Sequence, residues 1–296
     1  MWQAIKVFLL RKYYRYANAK SWQDQIAEIP FSVLRIPGSD GPLEARMFAH
    51  KDGADKPLIL YFHGGGWVLG DLDTHLPFCQ TLSAKTGCTV VTVEYRLAPE
   101  HRYPAAHDDA FNTTRWAAQH LNQLGPSNGT LIVAGDSAGA NLATCTALEL
   151  DARTRALISG QIIIYPITQH HKAYSRSYGE KGKGYALTAA LMIWFWDTYL
   201  GGDEVDETKA KRAMPMLSRN IASLPPTFLV TAENDPLHDE GAAYAEKLRK
   251  AKVPLVYKHF ANAQHGFVCS EGLTEDVEAF MQALNEWLGT LTSDVE

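Results

Sequence analysis

Several features that would settle other classes of protein are scarce or missing. Cysteine is rare: Cys79, Cys88, Cys145 and Cys269 are the four present, and none stands in a C-x-x-C or mixed Cys/His ligand spacing. They read as reduced, small structural hydrophobes with no disulfide or metal role. Positive charge is not in excess. The net charge is −5, and the basic residues are scattered apart from small clusters such as Arg11-Lys12 and Lys181 to Lys183, so nucleic acid is not an expected partner. No apolar run approaches the ~20 residues of a membrane span. Linkers rich in Pro, Gly or Ser, internal repeats and low-complexity tracts are absent. A chain of 296 residues with 46% hydrophobic content therefore reads as a single domain over 1–296 sharing one core.

Met1 to Leu10 is mostly apolar, but the basic pair Arg11-Lys12 follows it, the reverse of a secretory leader. A cytoplasmic location is the expectation. Trp2, Ile5, Phe8, Leu9 and Tyr13 recur every three to four residues, which predicts an amphipathic helix. Its expected role is a lid over a pocket, with a surface membrane anchor as the alternative and no stable anchoring expected.

Eight β-branched, apolar segments read as strands: 31–36, 44–49, 57–63, 88–94, 131–135, 161–165, 226–231 and 254–260. Ser39-Asp40-Gly41 predicts a tight turn and an antiparallel first pair. From the third strand onward helical patterns intervene, so the expectation is an α/β fold, a mostly parallel eight-stranded sheet with helices on both faces. Residues 1 to about 30 and about 168 to 215 fall outside the alternation and read as a helical cap. The second contains Ala190 to Trp196, and Trp67, Tyr185, Trp194, Phe195 and Trp196 are candidates for apolar pocket walls.

Two motifs follow strand-like runs: His63-Gly64-Gly65-Gly66-Trp67 and Gly135-Asp136-Ser137-Ala138-Gly139. A G-x-S-x-G alone arises by chance in roughly one chain in ten of this length. Both together, in this context, point to acyl transfer. A serine hydroxyl is a poor nucleophile, so its proton must be removed as it attacks and the resulting oxyanion must be held. Ser137 follows the fifth strand, Asp235 the seventh and His265 the eighth, at the strand ends where functional groups collect. This order suits nucleophile, acid and base. Asp239 is the alternative acid, although it falls inside a predicted helix. Ala138 opens that nucleophile's helix with a free N–H, and the Gly64, Gly65, Gly66 loop offers further donors. His63 is expected to brace that loop.

On these residues the chain resembles the hormone-sensitive lipase family of α/β-hydrolases, in particular its bacterial esterases. Tyr95-Arg96-Leu97-Ala98-Pro99-Glu100-His101, Tyr103-Pro104-Ala105-Ala106, Asp235-Pro236-Leu237 with Asp239-Glu240-Gly241, and His265-Gly266-Phe267 complete the likeness. The resemblance implies Ser137, Asp235 and His265 as the triad, Gly65, Gly66 and Ala138 as oxyanion donors with Gly64 adjacent, a helical cap, and hydrolysis of small-molecule esters with short acyl chains. No cofactor is implied. Glu94 departs from the family's usual Asp before Tyr-Arg, and the region before the first strand is short. The same fold also serves amidases, lactonases and peptidases, non-catalytic small-molecule receptors with degraded triads, and lipases at membranes. Pro254 to Phe260, as a sheet edge, makes a homodimer conceivable.

Overall fold

The computed structural model describes residues 2–22, 29–202 and 207–292. Within the expected cap segments, Met1, 23–28 and 203–206 lie outside the described residues.

The strands are β1 (Ser32–Pro37), β2 (Pro42–Phe48), β3 (Leu58–Phe62), β4 (Val90–Val93), β5 (Leu131–Asp136), β6 (Ile158–Ile164), β7 (Thr227–Asn234) and β8 (Leu255–Gln264). They form one sheet in the order β1-β2-β4-β3-β5-β6-β7-β8. β1 and β2 are antiparallel across the Ser39-Asp40-Gly41 turn, where the Gly38 N–H donates to the Gly41 carbonyl at 2.9 Å. β2 meets β4 antiparallel, and the pairs from β4 through β8 are parallel. β8 extends four residues beyond the expected end, carrying the chain directly to His265.

The connections are helical: α1 (Trp2–Ser21), α2 (Leu76–Thr86), α3 (Ala105–Gln119), α4 (Ala138–Glu149), α5 (Ala152–Arg155), α6 (Arg176–Glu180), α7 (Ala189–Leu200), α8 (His238–Lys250), α9 (Phe267–Ser270) and α10 (Glu275–Thr292). Alternation along the central strands divides the core. Leu58, Leu60 and Phe62 of β3 face one layer with α3, α4 and α8, whereas Ile59 and Tyr61 face the other with α2 and α10. Parallel strands covered on both faces read as continuous apolar runs for this reason.

Helix α1 is fastened across the loop that follows β3. Arg11 Nε donates to the Val68 carbonyl at 2.8 Å, its Nη2 to the Ala98 carbonyl at 3.0 Å, and the guanidinium forms a two-pronged pair with Glu100. Arg15 binds Asp71. The helix ends in Trp22, fully buried, whose indole N–H donates to the Cys269 carbonyl at 2.7 Å. Helix α7 starts where the Thr188 hydroxyl accepts the Leu191 N–H. A buried chain of polar contacts ties it to α3 and α4: His107 bridges the Tyr199 hydroxyl at 2.6 Å and Asn141 Oδ1 at 3.0 Å, and the Asn141 amide donates to the carbonyls of Ile167 and Ala213. Because the Asn141 amide is committed to those carbonyls, His107 donates through Nε2 and accepts the Tyr199 hydroxyl at Nδ1. Burial pushes the His107 imidazole down to about 3, so it stays neutral. Among the described residues no helix is long and apolar enough to cross a membrane.

Candidate active site

β5 runs into α4 through Ser137, whose backbone sits at φ 54° and ψ −116°. A non-glycine residue there is strained, and neighbours must hold it in place. The Ser137 N–H donates to the Ile164 carbonyl at 2.9 Å, and its own carbonyl accepts from Asn141. The turn also needs glycine one residue into α4. A Cβ on Gly139 would lie 1.9 Å from the Phe62 carbonyl oxygen, so a side chain would drive β3 and α4 apart.

Three residues from three strand ends converge. His265 Nε2 lies 3.0 Å from Ser137 Oγ, and its Nδ1–H donates to Asp235 Oδ2 at 2.7 Å. Asp235 is buried, and its Oδ1 accepts the Leu237 N–H at 2.8 Å. The Tyr165 ring packs against the imidazole with centroids 4.6 Å apart. Asp239 stands apart from this run: it accepts the Ser177 N–H at 2.9 Å and pairs with His238. Its place in the first turn of α8 turns it toward the start of α6.

The glycine loop divides into two roles. Gly64, expected among the oxyanion donors, is not available, because its N–H donates to Asp136 Oδ1 at 2.8 Å. Gly65 and Gly66 follow at φ 117° and 61°, and among the described residues no partner engages their N–H groups. Ala138 opens α4, where the helix leaves its N–H without an internal acceptor. His63 braces the loop as expected, donating from Nδ1 to the Gly64 carbonyl at 2.8 Å and stacking on Tyr95 at 4.3 Å. Burial, with His75 nearby, lowers its pKa to about 4 and keeps it neutral.

Asp136 is the residue that sequence patterning overlooked. Fully buried beneath the loop, it accepts from the Tyr61 hydroxyl at 2.7 Å as well as from Gly64, and His75 Nε2 lies 3.3 Å away. Burial opposes its ionisation, yet the His75 imidazole and the Tyr61 hydrogen bond hold the carboxyl below its ordinary range. A charged Asp136 thus locks the first glycine to the serine turn. These groups come from β3, the residue before α2 and the end of β5, and no local spacing announces them.

A cavity of about 350 Å³ opens over Ser137 and His265. Leu10, Tyr13 and Tyr14 of α1 wall one side; Leu187, Leu191 and Phe195 wall another, with Leu69 below. Gly66 lies under Phe195 so closely that a Cβ would meet the ring at 2.2 Å. Of the expected wall residues only Phe195 lines this cavity. Trp67, at φ 60°, turns into the core and stacks on Tyr199 at 4.5 Å and against Trp196 at 4.8 Å. Trp194, partly buried, lies beside Phe195 under the Lys6 ammonium of α1 and does not line the cavity. Tyr185 is half-buried and precedes the lining residues Ala186 and Leu187. At the polar rim Gln264 accepts the Ala186 N–H and donates to Glu271.

Glu94, in place of the more usual aspartate, caps the loop before α2 by accepting the Leu72 N–H at 2.9 Å. Burial raises its carboxyl to about 7.

Comparison with known proteins supplies the remaining observations. A family model described as the alpha/beta hydrolase fold matches residues 59–269. The chain is 38% identical over 242 residues to the carboxylic ester hydrolase LipN of Mycobacterium tuberculosis, covering 79% of this chain and 63% of LipN. It is likewise 38% identical over 237 residues to an ethyl acetate hydrolase of Pseudomonas putida, covering 76% of this chain and 73% of that protein. Among solved structures, an esterase of Pyrobaculum calidifontis superposes with a TM-score of 0.88 at 34% identity, covering 96% of this chain and 93% of its own.

Proposed function

The chain belongs to the α/β-hydrolase family, in its hormone-sensitive lipase branch of bacterial esterases, and from that membership we propose that it is a serine carboxylesterase for short-chain acyl esters. The observation that carries the reading is the unbroken Asp235–His265–Ser137 hydrogen-bond run at 2.7 and 3.0 Å, opening on an apolar cavity.

In this reading Ser137 Oγ attacks the ester carbonyl while His265 Nε2 takes its proton. Asp235 fixes the imidazole tautomer and stabilises the imidazolium without taking the proton itself. The negative oxygen is received by the N–H groups of Gly65, Gly66 and Ala138, and the dipole of α4 adds to the attraction. His265 then returns the proton to the alkoxide leaving group, the acyl-enzyme forms, and water activated by the same imidazole releases the acid. The chemistry requires no cofactor. Helix α1 and the segment from about 168 to 215 act as the cap, and the cavity of about 350 Å³ together with the ethyl acetate hydrolase likeness supports small acyl groups. A homodimer paired through β8 belongs to the same reading.

Hydrolysis of p-nitrophenyl esters of increasing acyl length, by the parent and by Ser137→Ala, tests it. Activity peaking at short chains and lost in the variant is expected. Turnover of amides or lactones in preference to esters would move the assignment to those bonds, and activity indifferent to Ser137 would remove it.

A further inference from the structure

On the other side of the turn that holds Asp235, the end of β7, the first turn of α8 and the middle of β8 bring Glu233, His238 and His259 together. Glu233 Oε2 lies 3.4 Å from His259 Nε2 and 3.9 Å from His238 Nε2, and the three ligand-type atoms all lie within 4.8 Å of one another. Each imidazole is held from behind. His238 Nδ1–H donates to Asp239 Oδ1 at 3.0 Å, and His259 Nδ1 lies 3.2 Å from Thr231 Oγ1. Both Nε2 atoms therefore face one carboxylate oxygen, the arrangement in which outer hydrogen bonds orient metal-binding histidines.

We propose that Glu233, His238 and His259 form a binding site for a divalent transition-metal ion of the zinc class, with water as the fourth ligand. Tetrahedral zinc with bonds of ~2.0–2.1 Å sets its ligand atoms about 3.3 Å apart, so the His259–Glu233 spacing already fits and His238 needs only a small inward movement. Two imidazoles and one carboxylate suit zinc, copper or nickel rather than calcium or magnesium. Glu233 and His238 line a recess of about 240 Å³, which leaves room for the water, and the His259 side chain is partly exposed beside Glu233. Lys181 sits 3.1 Å from Glu233 Oε1, the oxygen turned away from the histidines, and competes with a metal by charge rather than by place. Without a metal the same groups are an ion-pair hub around Glu233, and that is what the experiment must separate. Glu233 and His238 bracket Asp235, so a bound ion would clamp the strand end and helix start that carry it.

The test is zinc titration of the full chain by calorimetry, with Tm measured in parallel. A single ion per chain bound in the micromolar range, with Tm rising by a few degrees, is expected. Affinity should fall at least tenfold in His259→Ala and in Glu233→Gln. Lys181→Ala, which removes the competing cation and leaves all three ligands, should bind zinc more tightly. Cobalt in place of zinc should give the visible absorption of a four-coordinate site in the parent and lose it in His259→Ala. Absence of micromolar binding, binding unchanged in both ligand variants, or weaker binding in Lys181→Ala would each overturn the assignment. Hydrolytic activity is not the readout, because zinc reaching His265 would inhibit for another reason.

Discussion

At residue scale, Gly66 carries two constraints at once: a φ of 61° and a Phe195 ring where a methyl group would go. Gly66→Ala must displace either the ring or the loop, and a displaced loop misplaces an oxyanion donor. Loss of one donor typically costs ~10²–10³ in kcat. The variant is expected to show a kcat decrease of that order on a short-chain ester, with fold intact by circular dichroism; a decrease of less than about tenfold would place the oxyanion elsewhere. Gly64 illustrates what its neighbours hide in a sequence. Three consecutive glycines look interchangeable, but only the first is claimed by the buried Asp136 carboxylate, and that claim depends on a residue more than seventy positions away.

Glu240 gives a second prediction at the same scale. Its side chain is buried and accepts the Thr168 N–H at 2.7 Å, joining α8 to the segment that follows β6. Burial pushes the carboxyl up to about 8, with the charge of Asp235 adding to the effect. An unfolded glutamate titrates near ~4.3. Between that pH and about 8 the folded chain retains a proton that the unfolded chain has lost, so stability falls as pH rises through this window. Glu240→Gln cannot ionise, and its Tm should decline less between pH 5 and pH 8 than the parent's. Glu94 acts in the same direction in both proteins, which makes the difference between them the quantity to measure. An equal decline in both would contradict the assignment of a protonated Glu240.

At the scale of elements, α1 is a helix whose polar residues fasten it and whose apolar residues divide. Arg11 and Arg15 hold it to the loop after β3, Leu10 and Tyr14 face the cavity, and Ile5, Phe8, Leu9 and Tyr16 remain exposed. The three-to-four-residue spacing announced an amphipathic helix but not which stripe faces inward, because the inward contacts include two arginines. Trp22 closes the helix onto α9, next to the His265 turn. Trp22→Ala should cost ~3–5 kcal/mol in urea unfolding, and it should also lower kcat/KM on soluble esters, since the same contact steadies α9. Full activity with lost stability would separate α1 from the site. In α7 the aromatic run was legible as apolar wall material, but which side chains turn to the cavity was not. Trp67 and Trp196 pack together between the loop after β3 and α7, and Phe195 alone of the aromatics in α7 reaches the cavity.

Across the whole molecule, the sheet was readable because buried parallel strands must be continuous apolar runs, and each of the eight falls within a few residues of its expected place. The Ser137, Asp235 and His265 positions were readable because they follow strands, where chain order alone carries the pattern. The Asp136, Tyr61 and His75 cluster and the Glu233, His238 and His259 cluster were not, since both exist only after distant strands are brought side by side. β8 is an edge strand, paired among the described residues with β7 alone and half-buried along most of its length. If it joins two copies, light scattering at working concentration should give twice the chain mass, and a monomeric mass would remove the dimer.

Catalysis in the proposed reading rests on Ser137 as the nucleophile, activated by His265. The most direct measurement treats the chain with a p-nitrophenyl alkylphosphonate, in which serine oxygen bonds to phosphorus as p-nitrophenolate leaves, and locates the adduct by peptide mass spectrometry. One phosphonate on the peptide containing Ser137 is expected, with complete loss of esterase activity in step with labelling and much slower labelling in His265→Gln. Labelling elsewhere with inactivation, or no labelling while hydrolysis continues, would contradict it.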